Sequence, residues 1–124
     1  MYEMLFVSFG AILGANARFI ILNNLKNLNV KKDLPVLVVN TFSSFCLGLF
    51  ISIIEKFGSF LYSYQLILFL SVGFLGSFST FSSFIYDLFE LCLEFKFYRG
   101  FKLIINSYAL GISAFAIGFF LVIQ

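Results

Sequence analysis

The stretch "GFLGSFSTFSSF", Gly73 to Phe84, carries five hydroxyl side chains and two glycines inside a run with no charged residue from Phe57 to Tyr86. Two further clusters put polar groups into apolar sequence: Asn16 and Arg18 in "GAILGANARF", and Asn40, Thr41, Ser43 and Ser44 in "VLVVNTFSSF". Amide N–H, hydroxyl and guanidinium groups are hydrogen-bond donors. No carboxylate accompanies them, since Glu3 is near the chain start and Asp87, Glu90 and Glu94 follow the third cluster. A path lined by donors and one cation suits an anion. Phe78, Phe81 and Phe84 recur at i, i+3 and i+6, which predicts a phenyl stripe on one helix face. The ring edge is positive, so it can meet an anion in the ring plane without a countercharge.

Each cluster also has a plainer reading. Ser and Thr bond back to carbonyls of their own helix, Asn40 can bridge helices, Arg18 can snorkel to headgroups, and the Phe stripe can be packing. What the plainer readings do not explain is three segments carrying donors at comparable depth, where buried polar groups are costly unless used.

The elements that position these residues follow from composition. The 124 residues are 61% hydrophobic and 11% charged, with mean hydropathy +1.05. A soluble domain carries roughly a quarter charged residues, so this is an all-α integral membrane protein. A net charge of +2 argues against a nucleic-acid partner, and the lack of His removes the usual general base and metal ligand. Cys46 and Cys92 lie in apolar sequence and read as small hydrophobes. Crossing about 30 Å of hydrocarbon takes about 20 residues. This divides residues 1–124 into one domain of four transmembrane helices, spans about 2–22, 34–54, 64–94 and 103–124. The polar "NNLKNLNVKKD", "EKFGS" and "KFYRGFK" turn the chain between them. Spacings such as Gly10/Gly14 and Gly111/Gly118 suggest close helix packing. Glycine is a poor helix former, so the third helix is expected to be broken near 76–80. The carbonyls freed there suit a cation.

Together the clusters resemble the Fluc family of fluoride channels, also called CrcB proteins. "GAILGANARF" is similar to its first-helix pattern and "LVVNTFSSFCLG" to its second, with the central Asn; "GFLGSFSTFSSF" resembles its specific G-x-x-G-x-F-T-T-F-S-T-F signature. Ser77, just after Gly76, stands where the family has a further Gly, and Ser79 and Ser83 where it has Thr. The resemblance implies a passive fluoride channel of the cell membrane that works as an antiparallel dimer and lowers fluoride toxicity. Phe81 and Phe84 would be the ring-edge pair and Asn40 an ion donor. Ser82 and Ser83 would continue a hydroxyl track, Arg18 would sit at a vestibule, and Tyr108 and Ser113 are the span-four candidates. Carbonyls of Gly76 and Ser79 from two subunits would hold a structural Na⁺. Fluoride is small and tightly hydrated, so its release from water needs several strong donors at close range.

Two other classes differ in recognisable ways. A small dual-topology multidrug exporter wants a titratable carboxylate within a span, and only Glu3 is available. A non-conducting assembly subunit would leave the donor clusters unexplained. Charge adds an expectation of its own. Lys26, Lys31, Lys32, Lys96, Arg99 and Lys102 fall on one face of a four-span chain, near Arg18, and Lys56 alone on the other. Such bias predicts one-way insertion with both termini outside the cytoplasm. An antiparallel partner would then be an oppositely inserted paralogue, not an identical copy.

Overall fold

In a computed structural model the described residues are 2–28, 34–57, 65 and 67–123. They form helix α1 (Tyr2–Lys26), α2 (Leu34–Lys56), a π-helical segment (Ile67–Leu75), one further turn α3 (Gly76–Phe78), α4 (Phe81–Leu93) and α5 (Phe97–Ile123). Four of these stretches are long and apolar enough to span a bilayer, the third being Ile67–Leu93 with its interruption. Start and stop signals suit the helices. Glu3 lies in the first turn of α1 and Lys26 in its last, the signs that a helix macrodipole favours. Pro35 stands at the start of α2, where its missing N–H costs nothing.

α1 packs along the π segment and α3, and α2 along α5. Both seams run on glycine. A Cβ at Gly48 would fall on the Phe115 carbonyl oxygen, and one at Gly118 on that of Phe45. The α2 and α5 backbones therefore touch, and Ser52, fully buried, donates across the same seam to Phe119 O at 2.7 Å. On the other side Gly10 meets Phe69 O, and Gly14 meets Phe74 O and Ser77 Oγ. Gly111 is different: its Cβ would lie 3.6 Å from Ser44 Oγ, an ordinary van der Waals contact.

The third helix departs from the expected picture in three ways. The break lies within the expected 76–80 window but falls at Ser79 and Thr80, whose backbones are extended (ψ 151° and 115°), and not at a glycine. Gly73 is instead a contact point, buried against Val7 O and the Gly10 Cα. Phe78 lies before the break and leaves the expected stripe: it is 3% exposed, stacks on Phe74 at 5.7 Å and meets Phe42 edge-on. Residue 64, the expected start of this span, lies outside the described residues, as do Lys31 and Lys32.

The last turn of the chain is also tighter than "KFYRGFK" suggests, because α5 already begins at Phe97. Lys96 N donates to Leu91 O (2.9 Å) and Phe95 N to Cys92 O (3.1 Å), the paired bonds of a Schellman cap. Phe95 holds the left-handed position (φ 59°) that glycine normally takes. Its ring is 81% exposed and makes an edge contact with Phe97. A side chain there costs roughly 1–2 kcal/mol, part of which glycine's extra chain entropy cancels. Phe95→Gly is therefore expected to stabilise the protein by about 0.5–1 kcal/mol, seen as a higher unfolding midpoint in detergent. A lower midpoint would show that the ring anchors the turn at the bilayer surface.

Candidate functional site

The break is built by two side chains. Asn40, on α2, accepts from Thr80 N at its Oδ1 (2.8 Å) and donates from Nδ2 to Thr80 O (3.0 Å). Because Thr80 N–H can only donate, the amide orientation of Asn40 follows, and one Nδ2 hydrogen is left over from this pair. Thr80, 4% exposed, is in turn the N-cap of α4, its Oγ1 accepting from Ser83 N at 3.2 Å. A continuous helix would send Thr80 N to Gly76 O and Ser83 N to Ser79 O. Both amides are spent elsewhere, so those two carbonyls lose their usual donors. Ser79 also turns back: its N and Oγ both reach Leu75 O, at 3.0 and 2.9 Å.

Against this break lies a groove of about 470 Å³ between α2, α4 and α5. α2 contributes Asn40 and Ser44; the break contributes Ser79 and Thr80; α4 contributes Phe81 and Phe84. From α5 come Ser107, Tyr108, Gly111, Ile112 and Phe115. The polar lining is therefore one amide and five hydroxyls, with no carboxylate, lysine or arginine. The Phe81 and Phe84 rings lie 6.3 Å apart, tilted by 35°. Phe81 is 74% exposed and Tyr108 66%, so the groove is open along one side. Chemically it can strip water from a small ion and replace it with donors and ring edges. It offers no group that takes up a proton near neutral pH and no nucleophile–base pair. Among the described residues no cluster of His, Cys, Asp and Glu is placed to hold a metal.

The sequence candidates divide on inspection. Asn40, Phe81, Phe84 and Tyr108 come together on the groove, and Ser79 lines it too. Ser82 is exposed with its Oγ 3.5 Å from Thr80 Oγ1, and Ser83 serves the cap through its backbone; neither lines the groove. Ser113 is exposed on another face of α5, and Arg18 is half-buried on α1; neither lines the groove. Asn16 bonds within α1 to Ile12 O at 2.9 Å, and Ser77 turns back to Phe74 O, both as the plainer reading expects. Ser43 is buried, and its hydroxyl has no partner among the described residues. Ser107 is the lining hydroxyl that the sequence did not single out. Its signal is the four-residue ladder Leu103, Ser107, Gly111, Phe115, which keeps one α5 face toward α2.

The chain is similar to known proteins over nearly its whole length. Residues 5–119 match the family described as "CrcB-like protein, Camphor Resistance (CrcB)". Over 121 residues, 98% of each chain, the sequence is 60% identical to "Fluoride-specific ion channel FluC 2" of Prochlorococcus marinus (strain NATL2A). It is 34% identical to "Fluoride-specific ion channel FluC 1" of Parasynechococcus marenigrum, covering 94% of this chain and 90% of that one. It is 38% identical to "Fluoride-specific ion channel FluC 3" of Methanosarcina barkeri, covering 77% and 71%. With four apolar helices, a third helix interrupted beside Asn40, and a match over nearly its whole length, this multi-pass membrane protein belongs to the CrcB family of fluoride channels.

Proposed function

We propose that the chain forms a fluoride-selective channel that lets cytoplasmic fluoride leave passively. The observation that carries this is the uncharged groove on which Asn40, five hydroxyls and the Phe81–Phe84 pair converge. Ring edges and neutral donors replace water around an anion without a fixed cation that would trap it.

The open side of the groove is completed by a second, antiparallel subunit. At most 22% of any span's apolar window is buried within one chain, which leaves ample surface for a partner and for lipid. The carbonyls of Gly76 and Ser79, relieved of Thr80 N and Ser83 N, fit a Na⁺ shared between two broken helices, since hard cations take freed helix-end carbonyls. Bound there, the ion would tie the two breaks together by charge. Gly76 is exposed, as a residue at a subunit boundary must be.

The charge bias favours a paralogue as that partner. Lys56 donates to Val122 O (3.0 Å) at the end of α5, while Lys102 lies near its start. Those twenty residues of helix span about 30 Å, one bilayer core. Relatives named FluC 1 and FluC 2 both occur among Prochlorococcus marinus strains. A cysteine appended at the C-terminus should label almost wholly from outside intact cells, and equal labelling from both sides would end the one-way reading. Fluoride and chloride efflux from liposomes tests the rest. Fluoride flux from this chain alone would rule out an obligate heterodimer. Flux only after co-reconstitution with an oppositely inserted paralogue supports one. No fluoride flux in either case, or equal chloride flux, would overturn the channel.

A further inference from the structure

A second cavity, of about 390 Å³, lies on the α2–α5 seam beside the start of both helices. Leu34 and Leu37 line it from α2, and Tyr98, Arg99, Lys102 and Asn106 from α5. The two cavities are successive stations on one seam. Leu37 is one helical turn before Asn40, and Asn106 adjoins Ser107, so Lys102 stands about 9 Å along the axis from Tyr108. Polarity changes sharply between them: the groove holds neutral donors, and this cavity holds cationic side chains with a phenol and an amide. Of the charged groups around it, Glu94 is paired to Lys96 at 3.3 Å on the adjoining turn. Arg99 and the α4 carboxylates Asp87 and Glu90 each have interactions of their own, so Lys102 is the charge on which the recess depends.

We propose that this cavity is an anion-gathering mouth, with Lys102 its principal charge, which concentrates small hydrated inorganic anions before they reach the groove. The inference rests on the reading that the groove carries anions. A cation-lined recess with low-dielectric walls raises the local concentration of a small anion, and it does so only while ionic strength is low. Hydration can be kept here, because Tyr98 and Asn106 bond water as well as the ion. Water is exchanged for protein donors further along, where cations give way to Ser107, Tyr108 and Asn40. Separating attraction from dehydration in this way keeps the groove free of a fixed cation. A lipid phosphate has similar chemistry, but continuity with the groove favours the mobile ion.

The test reads the potential in the cavity without relying on permeation. In a background with Cys46 and Cys92 replaced by Ala, Leu34→Cys places a single thiol in the cavity, and Asn106→Cys is a second version should the first misfold. In phosphatidylcholine vesicles an anionic methanethiosulfonate should react faster than a cationic one. Lys102→Gln should lower that rate ratio about fivefold in low salt and less than twofold near 1 M salt, as screening dictates. Fluoride efflux should fall several-fold in the same variant, again only at low salt. A ratio unmoved by Lys102→Gln, or a change indifferent to salt, would overturn the mouth. So would unchanged low-salt efflux beside a lowered ratio, or a preference that vanishes when phosphatidylglycerol is added, which would make a headgroup the occupant. Should no fluoride pass even with an oppositely inserted paralogue present, the channel reading fails by itself, while the reagent ratio still decides the mouth.

Discussion

Replacing Phe81 with Ile, or Phe84 with Ile, should reduce fluoride flux at least tenfold and toward the leak level, while the protein still assembles. Both rings line the groove beside Asn40, and Phe81 makes few contacts that folding needs, being 74% exposed. Isoleucine roughly keeps the apolar bulk and loses the positive ring edge. An aromatic contact contributes about 0.5–1.5 kcal/mol beyond burial, and each 1.36 kcal/mol added to a barrier slows crossing tenfold. In a path that has shed most of its water the loss lies at the upper end. Phe78→Ile is the internal control. It belongs to the buried cluster with Phe74 and Phe42, so it should lower stability with far less effect on flux per folded protein. Wild-type flux in both Phe81→Ile and Phe84→Ile, with normal size-exclusion profiles, would make the pair mere packing.

The second large effect is expected at Asn40. Asn40→Leu removes the proposed anion donor and also takes away both bonds that Asn40 makes to the break. Thr80 N–H and C=O, in a residue 4% exposed, would lose both partners, and an unpaired buried polar group costs about 1–3 kcal/mol. Fluoride efflux should vanish and stability should fall by roughly 2–4 kcal/mol. Asn40→Asp separates the two roles. A carboxylate still accepts from Thr80 N but has no N–H for Thr80 O or for the ion, and its charge repels an anion. That variant should fold better than Asn40→Leu and conduct no better. Efflux measured beside a melting curve decides the matter. If Asn40→Asp conducts, the amide is only a brace; if Asn40→Leu melts normally, the break is held by other contacts.

The sequence by itself determined the solvent and the polarity of the site. Charge is too sparse for a soluble domain, and each apolar run is long enough for the bilayer. Donors without carboxylates in three of those runs already pointed to an anion, because polar groups persist in lipid only when they are satisfied or used. Close glycine packing was legible too, though only for Gly10, Gly14 and Gly118; Gly111 looks the same in sequence, yet a Cβ there would make only an ordinary van der Waals contact with Ser44.

Only the tertiary structure decided which of the polar residues meet. Periodicity assumes one unbroken helix, so it set Phe78 beside Phe81 and Phe84. The extended backbone at Ser79 and Thr80 instead separates core from groove. Glycine marks where a helix bends cheaply, yet the break sits at Thr80 because Asn40, forty residues earlier, supplies the partners that its amide and carbonyl need. That contact is long-range and leaves no local trace. The register of α5 was equally hidden, since Ser107, Tyr108 and Ser113 are all plausible polar positions on a helix that is apolar nearly all round. Packing of Gly118 on Phe45 fixes the rotation of α5, and that turns Ser107 and Tyr108 into the groove and Ser113 away from it.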